Sequence, residues 1–266
     1  VSTLGINVNL FPWLLVSGRF GYDTYRQTGF TFRHPTSSLV TSGQGGQLDN
    51  YYRNYYGYNH TISATATKKL GDFNGRVMIG NMWQNLETQH YAVVGTNLKD
   101  STSKDSSNTR ENTRVRLNNA RKGLPNYSIN RQLAYFGEFS VNYKNMIFLT
   151  YTHRFETSSI FPEDFRNYNY PAGSLSFIMT DLLPFLKSGN VMNYWKLRGS
   201  LANTARSSAP YANQSVFNIA TVSGGGFAYD FTNANEKLEP ERQSTYELGT
   251  EMKFLNNKIN LDVTYY

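Results

Sequence analysis

The sequence predicts an all-β protein, a segment of about ten antiparallel strands from a large transmembrane β-barrel. Three observations support this class. Apolar and polar residues alternate with a period of two in many stretches, as expected for strands with one apolar face. Several stretches keep this period for about 11–13 residues, whereas strands of soluble proteins most often have about 5–6. The connections alternate between short and long, which is typical of membrane barrels.

The alternating stretches can be followed along the chain in order. The clearest begins at Gln132, where Leu133, Tyr135 and Phe139 oppose polar neighbours up to Tyr143. Alternation is weakest in 75–88, where both sets of positions contain apolar residues. The predicted strands are 3–10, 13–25, 58–70, 75–88, 132–143, 147–156, 170–180, 194–201, 245–254 and 259–265.

The connections fall into two groups. Tight turns are predicted at 11–12, 71–74, 144–145 and 255–258. Long polar connections are predicted at 26–57, 89–130 and 207–241, with a shorter one at 159–169. Barrels of the outer membrane have short periplasmic turns and long outer loops, so the tight turns indicate the periplasmic side. Residues 181–189 depart from the pattern and predict a short amphipathic helical turn on that side.

Composition and charge exclude several other classes. Charged residues make up 17% of the 266 residues and aromatic residues 15%, unlike a helical bundle or a disordered chain. The absence of cysteine excludes disulfides, cysteine-bound metal and thiol catalysis. The net charge of +7 is concentrated between Lys99 and Lys122, a polar stretch without a nucleic-acid-binding motif. We interpret that stretch as a solvated loop and expect no nucleic-acid partner.

No candidate catalytic or metal site emerges from the motifs. His34, His60, His90 and His153 lack the close spacing of metal ligands, and the carboxylates are scattered. The glycine-rich stretch 223–226 neither follows a strand into a helix nor carries a lysine, so we interpret it as a flexible loop. The sequence therefore predicts no enzyme activity, no cofactor and no bound metal.

Two sets of residues are candidates for transport. The polar positions of the alternating stretches would line the lumen of a large barrel. Aromatic residues near strand ends, such as Trp13 and Trp195, suit the interfacial girdles. The tyrosines of the aromatic run 50–58 would contact the substrate or a lid protein, or pack on each other in a long loop. The lumen set is Glu138, Arg154, Lys196, Arg198, Glu247 and Glu251, and the contact set is Tyr51, Tyr52, Tyr55 and Tyr56.

Several segments resemble a known family. Residues 235–249, NEKLEPERQSTYELG, resemble the "N-x-x-L-x-P-E … Y-E-x-G" segment of TonB-dependent outer-membrane transporters. Residues 170–177, YPAGSLSF, and 194–202, YWKLRGSLA, look like strands of the SusC/RagA-like branch of that family. Residues 254–266 are similar to a hairpin of the same branch. The recognisable part covers about 165–266, and residues 1–160 agree in pattern alone.

The resemblance implies a bacterial outer-membrane importer of glycan or peptide oligomers. It implies a 22-stranded barrel with an N-terminal plug, energised by the TonB complex and lidded by a SusD-like lipoprotein. Residues 1–266 are then part of the barrel domain, in contact with outer-membrane lipid, and we expect the plug and the closing strands to lie outside them. Two alternatives stay open at this point: a passive porin or adhesin barrel, and a soluble carbohydrate-binding β-sandwich.

Overall fold

The structure, a computed structural model, describes residues 1–39, 45–105, 107–113, 126–187, 191–215, 217–220, 226–229 and 234–266. Nearly all of these residues lie in antiparallel strands or in the turns between them. The strands are β1 Ser2–Phe11, β2 Leu14–Arg33, β3 Gln47–Leu70, β4 Phe73–Leu98, β5 Thr109–Thr113, β6 Tyr127–Tyr143, β7 Ile147–Ser158, β8 Asn167–Ile178, β9 Met192–Arg206, β10 Phe217–Ala220, β11 Gly226–Tyr229, β12 Glu241–Phe254 and β13 Ile259–Tyr265.

One sheet contains most of these strands. Its order is β1-β2-β3-β4-β6-β7-β8-β9-β12-β13, with β5 added to β4, while β10 and β11 form a separate hairpin. Each strand pairs with the next strand of the path, as in an up-and-down barrel wall. Within the described residues this path does not close on itself. The prediction of an all-β segment of a large barrel is consistent with this architecture.

The tight turns gather at one end of the sheet. Between Tyr143 and Ile147, residues 144 and 145 both have positive φ, 50° and 58°, and the Met146 N–H donates to the Tyr143 carbonyl at 2.9 Å, so the chain reverses tightly there. The described part of the predicted helical turn at 181–189 is helical and lies at the same end, where helix α1 spans Met179–Leu182 and a 3₁₀ turn spans Pro184–Lys187. Residues 188–189 lie outside the described residues. A further 3₁₀ turn, Glu163–Phe165, lies in the connection between β7 and β8 at the opposite end. No helix among the described residues has the length and hydropathy to cross a bilayer.

The two faces of the sheet differ sharply in chemistry. Directly paired residues of antiparallel strands share a face, so the register shows on which of the two faces each side chain lies. The face that carries Glu138, which we call the inner face, is mainly polar. The opposite, outer face carries large apolar side chains that are exposed, among them Leu4, Ile6, Val8, Ile62, Val77, Ile79, Phe139, Leu149, Leu175, Leu248, Leu261 and Val263.

The exposed apolar face has the dimensions of a membrane band. On β4, Phe73 next to the tight turn and Trp83 both lie on the outer face, ten residues apart. Ten residues span about 33 Å along a strand, or about 25 Å of height at a tilt of about 40°. Phe73 packs against Tyr143, and Trp83 stacks on His60 with centroids 5.7 Å apart. An apolar band of about 25 Å between two aromatic levels is the pattern of a membrane barrel.

Strands β2, β3 and β4 continue well beyond the upper aromatic level. We call this projection the outer ribbon; it comprises 23–33, 47–57 and 86–98. Eleven residues of β3 correspond to about 36 Å of further strand. The prediction of a long loop at 26–57 was therefore wrong for most of that range, because β2 runs to Arg33 and β3 begins at Gln47. The prediction for 89–130 was wrong for 89–98, 109–113 and 127–130, and residues 114–125 lie outside the described residues. Above the membrane both faces meet water, so the apolar alternation stops although the strand continues.

Candidate functional site

The six predicted lumen residues lie on the inner face of the sheet. The register places Glu138 opposite Thr152, and Arg154 follows on the same face of β7. Across β9 and β12, Lys196 pairs with Glu251 and Ser200 with Glu247, and Arg198 shares their face. The structure thus brings all six to one face, while their role as the lining of a closed lumen stays a prediction.

Ion pairs connect three of these residues to exposed neighbours on the same face. Glu138 lies 3.4 Å from Arg76, and Arg198 lies 2.8 Å from Asp262. Lys253 lies 3.2 Å from Glu251. All of these side chains are at least one-fifth exposed, so each pair contributes little to stability, at most about 1 kcal/mol. The inner face therefore carries neighbouring positive and negative side chains and is not dominated by charges of one sign.

The four candidate tyrosines belong to β3 and divide between the two faces. Tyr51 and Tyr55 lie on the inner face, opposite Ala92 and Thr88. Tyr52 and Tyr56 lie on the outer face. All four lie in the outer ribbon, above the upper aromatic level. The sequence run NYYRNYYGY therefore is a strand segment that presents two separate sets of rings.

On the inner face, Tyr25, Tyr51 and Tyr55 form a surface that we call the tyrosine strip. Tyr25 of β2 and Tyr55 of β3 stack with ring centroids 4.9 Å apart and an interplanar angle of 17°. The Tyr51 ring lies over Gly29, where any Cβ would overlap it. Arg53 lies between the two β3 tyrosines, with its guanidinium carbon 5.8 Å from the centroid of Tyr25. The strip thus offers rings and hydroxyl groups next to one cation.

The outer face carries a similar arrangement at nearly the same height. Tyr52 stacks on Tyr91 with centroids 5.1 Å apart, and Arg26 lies 5.2 Å above the Tyr52 ring. Arg26 and Arg53 lie in adjacent rows of the sheet on opposite faces. This second set contains the same residue types as the tyrosine strip and is a matched comparison for it.

Two ionisable groups in and beside the strip have pKa values shifted in the direction that favours their neutral forms. Burial and the nearby Asp23 carboxylate raise the pKa of Tyr55, so its hydroxyl remains a hydrogen-bond donor. Burial and the positive charge of Arg53 lower the pKa of His90, which pairs with Arg53 in the register. His90 therefore stays uncharged next to the guanidinium.

A buried carboxylate on the inner face was missed by the sequence reasoning. Glu156 is 8% exposed and accepts hydrogen bonds from the Tyr168 hydroxyl at 2.7 Å and from the Tyr170 hydroxyl at 2.5 Å. Its other partner is Arg154, whose Nε and Nη2 lie 2.8 and 2.7 Å from Oε2. We call these four residues the Glu156 cluster. A signal was present, since 154, 156, 168 and 170 are alternate positions on two strands joined by a short connection.

The Glu156 cluster supports the outer connection between β7 and β8. Phe161 is 3% exposed and meets the Tyr168 ring edge-on, with centroids 5.9 Å apart. The backbone N–H of Ser158 donates to the carbonyl of Arg166 at 3.1 Å, and that of Ser159 donates to the carbonyl of Arg131 at 2.9 Å. The connection is therefore folded against the inner face of the sheet.

Other predicted features can be located as follows. His60, His90 and His153 lie in strands, and His34 directly follows β2. Across the described ranges, no group of three or more histidine, aspartate or glutamate side chains is arranged to bind a metal. Residues 114–122 of the basic stretch and residues 223–225 of the glycine-rich stretch lie outside the described residues.

A sheet with an exposed apolar band on one face and a polar lattice on the other defines the wall of a transmembrane β-barrel. Comparison with known proteins agrees with this class. Residues 3–266 match the family described as TonB dependent receptor-like, beta-barrel. The chain belongs to that family, and it is an outer-membrane protein.

Individual relatives extend the comparison. The chain is 27% identical over 256 residues to TonB-dependent receptor P3 of Formosa agariphila, a match that covers 93% of the chain and 24% of the relative. The chain therefore spans about a quarter of the length of that relative. Among solved structures, the RagAB peptide transporter superposes on 98% of the chain and 29% of its own chain, with a TM-score of 0.77 and 14% identity. The siderophore receptor PiuA from Acinetobacter baumannii matches 98% of the chain and 38% of its own, with a TM-score of 0.56 and 13% identity.

These comparisons exclude one of the two alternatives that the sequence left open. Membership of the TonB-dependent family is confirmed, and the fold match to RagAB agrees with the predicted SusC/RagA-like branch. The family and these relatives are receptors and transporters, as expected for a chain that is not an enzyme. The soluble β-sandwich is excluded, because the family is one of membrane barrels and the apolar face is exposed instead of packed against a second sheet.

Proposed function

We propose that residues 1–266 form part of the barrel wall of a longer TonB-dependent receptor that imports oligomeric nutrients, glycans or peptides, across the outer membrane. In this proposal the inner face lines the import path, with Glu138, Arg154, Lys196, Arg198, Glu247 and Glu251 along the membrane-spanning part. The outer ribbon extends this wall above the membrane. Cargo meets the ribbon before it reaches the barrel.

One observation carries the proposal: the tyrosine strip lies on the inner face above the membrane band. Rings that lie along the wall can stack on sugar rings or on apolar parts of a peptide, and their hydroxyls add hydrogen bonds at low entropic cost. We assign the cargo contact to Tyr51 and Tyr55, together with Tyr25. Tyr52 and Tyr56 face the opposite side of the same strand and are not assigned a cargo contact.

The partners of the whole receptor are part of the proposal. They are a SusD-like lipoprotein lid over the outer mouth, the TonB complex on the periplasmic side, and outer-membrane lipid around the apolar band. The RagAB peptide transporter supports the size of cargo proposed here, since the chain shares the fold of a protein that carries peptides. The Formosa agariphila relative supports the energised mode, because it is named a TonB-dependent receptor.

Native mass spectrometry of the full-length receptor tests the proposal. The receptor is extracted from outer membrane in mild detergent as the wild type, as Tyr51→Ala/Tyr55→Ala and as Tyr52→Ala/Tyr56→Ala. We expect the wild type to carry a lipoprotein and a bound oligomer whose mass identifies the cargo. The inner-face variant should lose most of the cargo, and the outer-face variant should retain it, because the pairs lie on opposite faces.

Uptake of the identified cargo by cells with and without TonB then separates active from passive transport. We expect uptake to require TonB. Uptake that continues at the same rate without TonB, by a receptor that has no lipoprotein partner, would establish the passive porin instead. Equal retention of cargo by both tyrosine variants would remove the tyrosine strip from the import path.

A further inference from the structure

Arg53 is the central cation of the tyrosine strip. In the register it lies between Gln27 of β2 and His90 of β4, so three nitrogen-bearing side chains form one row across the inner face. The Tyr25–Tyr55 pair forms the next row towards the membrane, and Tyr51 lies in the next row away from it. The guanidinium is therefore framed on both sides by tyrosine rings.

This guanidinium has no carboxylate partner within the described residues. Its Nε is buried and makes no hydrogen bond there, and Arg53 takes part in none of the ion pairs that the described side chains form. The same-face carboxylates nearest to it along the strands are Asp49 and Asp23, each displaced by four residues, or about 13 Å. Asp49 is already engaged by the Gln47 amide at 2.7 and 2.8 Å.

An unpaired, half-buried arginine is costly for a protein to maintain. A partly desolvated charge lowers stability unless an anion compensates it. Elsewhere on the inner face, Arg19 and Arg206 are exposed to solvent, and Arg33 donates to the Gln47 side chain at 3.3 Å. Arg76, Arg154 and Arg198 each have a carboxylate within 3.4 Å. Arg53 differs from these three in its lack of a partner and in its position above the membrane band. Both differences fit a residue whose partner arrives with the cargo.

We propose that Arg53 binds a carboxylate of the cargo. The planar guanidinium can hold a carboxylate through two parallel hydrogen bonds, and the flanking Gln27 amide can donate a third. The tyrosine rows contact the groups on either side of that carboxylate. The inference rests on the proposed function, since it takes the tyrosine strip as a cargo-contacting surface. It adds that the cargo is acidic, whether its carboxylates belong to uronic sugars or to peptide side chains.

Calorimetric titration of the full-length receptor with two matched pairs of probes tests this assignment. One pair is tetragalacturonate and its methyl ester, and the other is a Glu-containing tetrapeptide and its Gln counterpart. We expect the wild type to bind the acidic member of one pair more tightly, and this identifies the source of the carboxylate. Arg53→Gln should weaken binding of that acidic probe by about tenfold or more and leave the neutral member unchanged.

Arg26→Gln is the matched control, because Arg26 lies over Tyr52 in the adjacent row on the outer face. It should bind all four probes as the wild type does. Wild-type receptor that prefers neither acidic probe would overturn the assignment, as would Arg53→Gln that retains wild-type affinity for them. Tyr51→Ala/Tyr55→Ala separates the two proposals. If it weakens binding while Arg53→Gln does not, only the carboxylate assignment fails; if neither variant changes binding, the proposed function of the strip fails as well.

Discussion

Replacing Glu156 with glutamine should release the outer connection between β7 and β8. The isosteric amide keeps one acceptor oxygen but loses the ion pair with Arg154. Its NH₂ group cannot accept a hydrogen bond, so one of the groups that donate to the carboxylate is left without an acceptor. Removing one member of a buried ion pair costs about 3–5 kcal/mol, and an unsatisfied buried hydroxyl costs about 1–3 kcal/mol. Because the Arg154 side chain is still 26% exposed, we expect a combined cost near the lower limit, about 3 kcal/mol.

Amide hydrogen exchange of the full-length receptor in detergent measures this cost locally. The N–H groups of Ser158 and Ser159 report on the connection, because both donate to carbonyls that hold it in place. A loss of about 3 kcal/mol corresponds to exchange that is about 150-fold faster when opening is at equilibrium. Glu163→Gln is the control, since its carboxylate is 87% exposed and lies 3.6 Å from Arg166. Unchanged exchange in Glu156→Gln would refute the view that the Glu156 cluster holds the connection.

Three further changes have definite expected outcomes. Ile79→Arg puts a charge on the outer face within the apolar band and should lower folded receptor in outer-membrane fractions, at a cost of about 2–4 kcal/mol near the midplane; wild-type amounts would argue against a lipid-facing position. Gly29→Ala should displace the Tyr51 ring and weaken cargo retention in native mass spectra without altering assembly. The pKa of Asp100 is lowered by hydrogen bonds from Thr102, so these bonds stabilise the loop above the ordinary carboxyl pKa of 3.8 and are lost as the pH falls through the lowered value. The protection factor of the Thr102 amide, which corrects exchange for its intrinsic pH dependence, should fall only below about pH 4, and a fall already at pH 6 would contradict this.

The membrane-spanning part of the fold was predictable because lipid imposes a strict rule on it. Every second residue must be apolar between the two aromatic levels. The strands predicted at 132–143 and 147–156 therefore agree with most of β6 and β7. The weak alternation of 75–88 also has a physical reason. Met78 and Met82 lie on the inner face of β4, where Arg154 reaches the Met82 sulfur at 3.5 Å, so that face is not uniformly polar.

The outer ribbon was not predictable by the same rule, because water surrounds both of its faces. The aromatic run 50–58 gave a correct signal of aromatic surface but no signal of its strand conformation. Because β3 extends to Gln47, its register places Tyr51 and Tyr55 on the inner face and Tyr52 and Tyr56 on the outer face. The alternate positions of the Glu156 cluster were visible in the sequence, but its assembly required the register between β7 and β8, which local sequence patterns do not give.

The strand conformation of the outer ribbon also determines how this surface can change in evolution. Substitutions at odd positions of β3 alter the inner face, and substitutions at even positions alter the outer face, so the two surfaces can vary separately within residues 47–57. Insertion of two residues preserves this division. The membrane-spanning part of β3 that follows keeps its apolar face in lipid, so insertion of one residue exchanges the two sets on the N-terminal side of the insertion. A single codon added to the segment would therefore turn the interior rings outwards. A flexible loop would impose no such parity on its sequence.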